Sequence, residues 1–124
     1  MIYLDTHVLV WLAAGELQLF NRSILDRLNS ERLMVSPMCL LELEYLYETK
    51  RIKQNADAII GELKGKLEME ICPQSFENII MFSLRETWTR DPFDRIITAQ
   101  ARLENAVLVT KDRSIQKHFK KAIW

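Results

Sequence analysis

The stretch RDPFDRIITAQARLENAVLVTKD, residues 90–112, contains a whole α/β unit with its boundaries marked. Asp91 and Pro92 form a helix start, because Asp is a favoured N-cap and Pro is tolerated at the first helical position. From Pro92 the chain reads as a helix to about Glu104. AVLVT at 106–110 then reads as a buried strand, apolar and rich in β-branched Val. Asp112 follows two residues later, so helix, strand and three aspartates come in close succession.

The same alternation extends towards the N-terminus. Residues 2–4, IYL, form a short apolar strand ending at Asp5, and the apolar run from His7 to Ala14 is a helix stopped by Gly15. RSILDRLNSE sets Ile24, Leu25 and Leu28 on one helical face, and RLMVSP is a second strand closed by Pro37. A helix from about Met38 to Thr49 carries Leu40, Leu43, Leu46 and Tyr47 at helical spacing. Residues 54–66 read as another helix through Ile59, Ile60 and Leu63, weakened by Gly61 and Gly65. EMEICP is a third strand, 75–85 a further helix, and Ala122–Trp124 an edge strand. Strands that alternate with helices, with no hairpin signal between them, imply a mostly parallel sheet with helices on both faces. The expected architecture is a three-layer α/β/α sandwich formed by residues 1–124 as one domain, a length able to bury roughly two-thirds of its unfolded surface.

Composition excludes several classes. With 48% apolar and 27% charged residues and no low-complexity tract, disorder is not expected. The longest apolar runs fall short of the ~20 residues a membrane span needs, and no cleavable leader is visible, so a cytoplasmic protein is expected. Cys39 and Cys72 have no Cys or His at ligand spacing and read as buried fillers. The chain is formally neutral, which argues against a general nucleic-acid binder. Its charge is uneven, however: residues 85–124 carry nine Lys+Arg against five Asp+Glu, and residues 1–84 carry eight against twelve.

In a parallel sheet the carboxyl ends of the strands share one rim, where ligands bind. Asp5 and Asp112 follow strands, Asp91 and Asp94 open a helix on that rim, and Glu42 lies in the second turn of the helix after LMVSP. Helix capping explains Asp91 best and remains open for Asp5, Asp94 and Asp112. Glu42 interrupts the apolar face of CLLELEYL, whereas Glu44, about 200 degrees round the helix, is expected in solvent. Several ionised carboxylates in one small volume repel unless some are protonated or a cation sits among them. Oxygen ligands without His or Cys suit Mg²⁺ or Mn²⁺, which activate water against a phosphodiester.

YLDTHVLVWL, LLELEYL, RDPFDRIITAQA and LVTKD, in this order, resemble the PIN-domain family, and within it the toxin ribonucleases of VapBC-type toxin and antitoxin pairs. The resemblance runs from residue 3 to the C-terminal AIW. It implies a parallel five-stranded sheet and a metal-dependent endoribonuclease, with Asp5, Glu42, Asp94 and Asp112 as catalytic acids and Asp5, Asp94 and Asp112 on the Mg²⁺ or Mn²⁺. Asp91 is then a cap first and a metal contributor second, and Thr6 and Thr110 are hydrogen-bond donors to carboxylates or phosphate. Arg90, Arg95, Lys111 and Arg113 flank the acids and could hold RNA phosphates. By the same resemblance the partners are an RNA substrate, a small antitoxin and a second copy of the chain as a homodimer. Tyr45, Leu46, Ile59 and Leu63 are candidate walls of the antitoxin groove, although core packing accounts for most of them equally well. His7 stands where many members have Asn, Leu41 where Trp is usual, and Trp88 lies in an ETWT stretch foreign to the pattern.

Other acid-using α/β classes fit less well. A haloacid-dehalogenase-type phosphatase needs Asp-x-Asp after the first strand, where this chain has His7. A phospho-accepting receiver domain wants paired acids there and an Asp closing the third strand, and EMEICPQS offers none. The non-enzymatic alternative is a catalytically silent PIN-like binding module, which the presence of all four acids disfavours.

Overall fold

Five short strands, β1 (Ile2–Leu4), β2 (Leu33–Val35), β3 (Met69–Ile71), β4 (Val107–Val109) and β5 (Ala122–Ile123), pair in the order β3-β2-β1-β4-β5, all parallel. This is a computed structural model and describes residues 1–124. Ile2, Tyr3 and Leu4 pair residue by residue with Leu33–Val35 on one side and Val107–Val109 on the other. Every residue of β1 and β2 is buried, and successive side chains point to opposite faces, so both faces of the sheet are covered. Continuous apolar runs such as LMV satisfy that demand where an alternating pattern would not.

The covering helices are α1 (Thr6–Ala13), α2 (Arg22–Ser30), α3 (Pro37–Glu48), α4 (Ala56–Lys66), α5 (Phe76–Ser83), α6 (Pro92–Leu103) and α7 (Arg113–His118). Each begins at a side-chain cap: Asp5, Asn21, Ser36, Asn55, Ser75, Asp91 and Asp112 each accept a hydrogen bond from a backbone amide in the first turn. Pro37 ends β2 by starting α3, where it occupies the first turn behind the Ser36 cap. Gly15 closes α1 with φ at 72°, a conformation that costs glycine little. The α7 segment and a 3₁₀ turn at Leu17–Leu19 are too short for apolar periodicity to mark them.

The order of the strands positions the rest. From β1 the chain moves outward through β2 to β3, then returns to the opposite side of β1 for β4 and β5. The loops leaving β1 and β4 diverge there, and this parting at the carboxyl ends is where open parallel sheets bind ligands.

Two expectations about side chains are corrected. Of the four residues considered as groove walls, Leu46, Ile59 and Leu63 are buried, and only Tyr45 faces solvent. Their helical spacing served the interior, since α3 and α4 pack on each other and on the core. Glu44 is half-buried rather than free in solvent. Trp88 stacks flat on His118, with ring centroids 4.9 Å apart, and its indole N–H donates to the buried Glu86 carboxylate at 2.7 Å. Arg102 donates to the same carboxylate, so the ETWT stretch ties α6 and α7 together. No helix is long and apolar enough to cross a membrane.

Gly61 lies within α4 with nothing within 4 Å of the position a Cβ would take. Gly61→Ala is therefore expected to raise stability by about 0.5–1 kcal/mol, seen as a higher denaturant midpoint with an unchanged m-value.

Candidate active site

Asp5 stands at the parting of β1 and β4 and is only 6% exposed. One of its carboxylate oxygens caps α1 by accepting the Thr6 amide at 2.7 Å, and the other accepts the Thr110 hydroxyl at 2.5 Å. Thr110 follows β4 directly, and its Oγ1 also accepts the Asp112 amide at 3.0 Å. The hydroxyl thus receives from one acid-bearing loop and donates to the other. Asp112 in turn caps α7 through Ile115.

Asp5, Glu42, Asp94 and Asp112 line one open cavity of about 280 Å³, together with His7, Trp11 and Lys111. The four acids come from four elements: the end of β1, the second turn of α3, the first turn of α6 and the loop after β4. Asp91 does not line the cavity. It is exposed, and its carboxylate accepts the Asp94 amide at 3.0 Å as the cap of α6. That hydrogen bond fixes the helix start from which Asp94 projects.

The electrostatics follow from this crowding. Burial raises the Asp5 carboxyl above its usual range, against the pull of the Thr110 and Thr6 donors. Burial, followed by repulsion from Asp91, Asp112, Asp5 and Glu42, raises Asp94 to about 7. Glu42 is likewise raised to about 7 by burial and then by the neighbouring acids. The Thr6 hydroxyl lies near enough to Glu42 and Cys39 to oppose their upward shifts, yet it has no partner at hydrogen-bond distance and is fully buried. Four carboxylates with no thiolate and no ion-paired base among them, beside a single imidazole, make a mostly oxygen donor set in the cavity suited to a hard divalent cation. The acids line the cavity rather than converge on one point, as no three acid, imidazole or thiol groups stand together as a closed ligand set.

The basic residues are distributed less simply than their spacing implied. Arg95 donates to the carbonyls of Ser83 and Leu84 at 3.0 and 3.3 Å, closing the C-terminal end of α5, which commits its guanidinium away from the cavity. Arg90 is exposed and donates to Thr87 O at 3.1 Å. Arg113 is exposed in the first turn of α7, and Lys111 reaches the cavity. His7 and Trp11 also reach it; Trp11 was not expected there, and the signal that could have found it is its place one helical turn beyond His7 on the helix that follows Asp5.

The PIN domain family model matches residues 2–121, and the chain belongs to that family. Among solved structures it is similar to VapBC2 from Rickettsia felis bound to a DNA fragment from their promoter, with 21% identity and a TM-score of 0.67 over 99% of this chain and 96% of that one. It is also similar to PAE2754 from Pyrobaculum aerophilum, with 21% identity and a TM-score of 0.61 over 98% of this chain and 87% of that one. At this identity both establish a shared fold. No curated protein matches the chain.

Two substitutions are expected to act in opposite directions on the metal-free protein. Because Asp94 and Glu42 hold protons in the folded state up to pH about 7 but release them near pH 4 to 4.5 when unfolded, stability falls as pH rises through that window and levels off above it. Asp94→Asn should flatten this slope and, after allowance for solvent screening, add on the order of 1 kcal/mol above pH 7. Thr110→Val, which strands the buried Asp5 carboxylate, should cost about 1–3 kcal/mol. Thermal melts from pH 4.5 to 8 in a chelating buffer measure both.

Proposed function

We propose that this protein is a metal-dependent endoribonuclease and the toxin component of a toxin and antitoxin pair. The observation that carries the reading is one cavity at the parting of β1 and β4, lined by carboxylates from four separate elements. Membership of the PIN-domain family and the fold shared with the VapBC2 complex support it.

Asp5, Asp94 and Asp112 would hold Mg²⁺ or Mn²⁺, with the Thr110 hydroxyl keeping the Asp5 and Asp112 loops in register. When bound, the ion would polarise a phosphodiester and lower the pKa of an attacking water. Glu42, on the α3 side of the cavity, would orient that water and take up its proton as the water oxygen bonds to phosphorus, and the departing ribose oxygen would be protonated from solvent. Asp91 would act through the backbone, holding the first turn of α6 so that Asp94 faces the cavity. Lys111 and Arg113 would contact flanking phosphates, while Arg95 is already engaged with α5.

A partner antitoxin would cover the acidic cavity when the nuclease is silent. Pairing of two copies belongs to the same proposal, and Leu41, Phe76, Met81 and Leu84, all more than half exposed on or beside α3 and α5, offer apolar surface for it. Light scattering coupled to size exclusion should then give twice the chain mass, and Leu41→Glu with Phe76→Glu should restore a single copy.

The test of the nuclease reading is to map new RNA 5′ ends in cells after brief induction of the wild type and of Asp94→Asn. Ends found with the wild type alone are expected. RNA cleavage retained by the purified Asp5→Asn, Asp94→Asn double variant would overturn the mechanism. Mn²⁺ should raise the melting temperature of the wild type and leave that double variant unmoved, a readout independent of activity.

A further inference from the structure

Lys111 stands at the mouth of a cavity containing four carboxylates, yet it pairs with none of them. Its ammonium instead lies 5.6 Å from the Trp11 ring centroid and 5.5 Å from that of Trp124, over two adjoining indoles contributed by opposite ends of the chain. The indoles are in edge contact, with centroids 5.3 Å apart, and Phe20 backs Trp124 at 5.0 Å. This aromatic seat keeps the lysine out of the space among the acids. A free ammonium there would gain Coulomb energy by moving inward and neutralising the cavity. Attraction to two ring faces offers it a competing position at the rim.

The surface beside that seat is also distinctive. His7 is exposed, one helical turn before Trp11, with its ring centroid 6.0 Å from the indole, and both side chains line the cavity. The cavity is therefore lined by imidazole, indole and ammonium as well as by carboxylates. Aromatic faces beside a fixed cation are the means by which proteins hold an unpaired nucleotide: the ring stacks on a base and the cation meets its phosphate.

We infer that His7, Trp11 and Lys111 form a subsite for the nucleotide flanking the scissile phosphate, in which a single-stranded RNA base stacks on the Trp11 indole with the tilted His7 ring at its edge, while Lys111, steadied by Trp11 and Trp124, takes the adjacent phosphate. The inference rests on the nuclease reading and deepens it by naming the residues that would hold the strand beside the cut. Stacking is available to every base, so the subsite positions the strand without selecting a sequence. Arg113, one residue beyond Lys111, lies outside the aromatic seat and serves the strand only as a surface charge.

The experiment uses the full chain with Asp94→Asn, which stops turnover, and a fluorescently labelled single-stranded RNA whose binding is followed by anisotropy. Trp11→Leu, which keeps apolar bulk against the core, is expected to weaken binding on the order of tenfold, and Trp11→Phe to recover most of the loss. An abasic spacer scanned along the RNA should at one position erase the difference between Trp11 and Leu. Lys111→Gln should lower the slope of binding against salt by about one phosphate contact. Equal losses for Trp11→Leu and Trp11→Phe, or no loss for either while the parent binds RNA, would overturn the subsite and leave the nuclease reading standing. A parent that binds no RNA would overturn both.

Discussion

The hydrogen bond from the Thr110 hydroxyl to the Asp5 carboxylate joins the two strands between which the chain reverses its direction of travel across the sheet. The same oxygen accepts the Asp112 amide, so one small side chain sets the spacing of two acids whose ionised forms repel. A buried carboxylate survives in a folded protein when its oxygens have donors, and Asp5 has one for each. The cavity depends on this arrangement, because β1 and β4 supply its floor and the other two acids enter from helices packed around them.

Around that fixed point the electrostatics are unrelieved. Glu42 and Asp94 are pushed up to about 7 because burial and neighbouring acids act in the same direction, and no basic side chain pairs with them. Lys111, the one lysine or arginine that lines the cavity, has its ammonium over two indole faces instead. This differs from a structural ion-pair network, in which each buried carboxylate is matched by a basic partner. The Arg102 and Glu86 pair shows the contrast: the buried carboxylate there accepts from both a guanidinium and the Trp88 indole and is used to tie elements together.

Capping and chemistry prove to be compatible uses of the same residues. Asp5 and Asp112 are N-caps and also line the cavity. A helix that starts at the carboxyl end of a parallel strand has its cap on the ligand-binding rim, so the two roles coincide in space. Asp91 and Asp94 divide them, the first spending its oxygen on the helix start and the second opening onto the cavity one turn within. Capping propensity alone therefore could not separate site acids from structural ones, and Glu42, which caps nothing, was the most informative of the set.

What the amino-acid sequence determined by itself is local. The apolar runs, the cap at Asp91, and the stops at Gly15 and Pro37 specify strands and helices in alternation, because backbone hydrogen bonding and side-chain spacing act over a few residues. The parallel sheet and the shared rim follow from that alternation. Only the tertiary structure decided which way individual side chains face: Leu46, Ile59 and Leu63 turn inward, Arg95 closes α5, and Trp88 stacks on His118. It also decided that the Lys111 ammonium sits over the adjoining Trp11 and Trp124 indoles. Those outcomes depend on contacts between segments far apart in the chain, whose energies exist only once the sheet has brought them together.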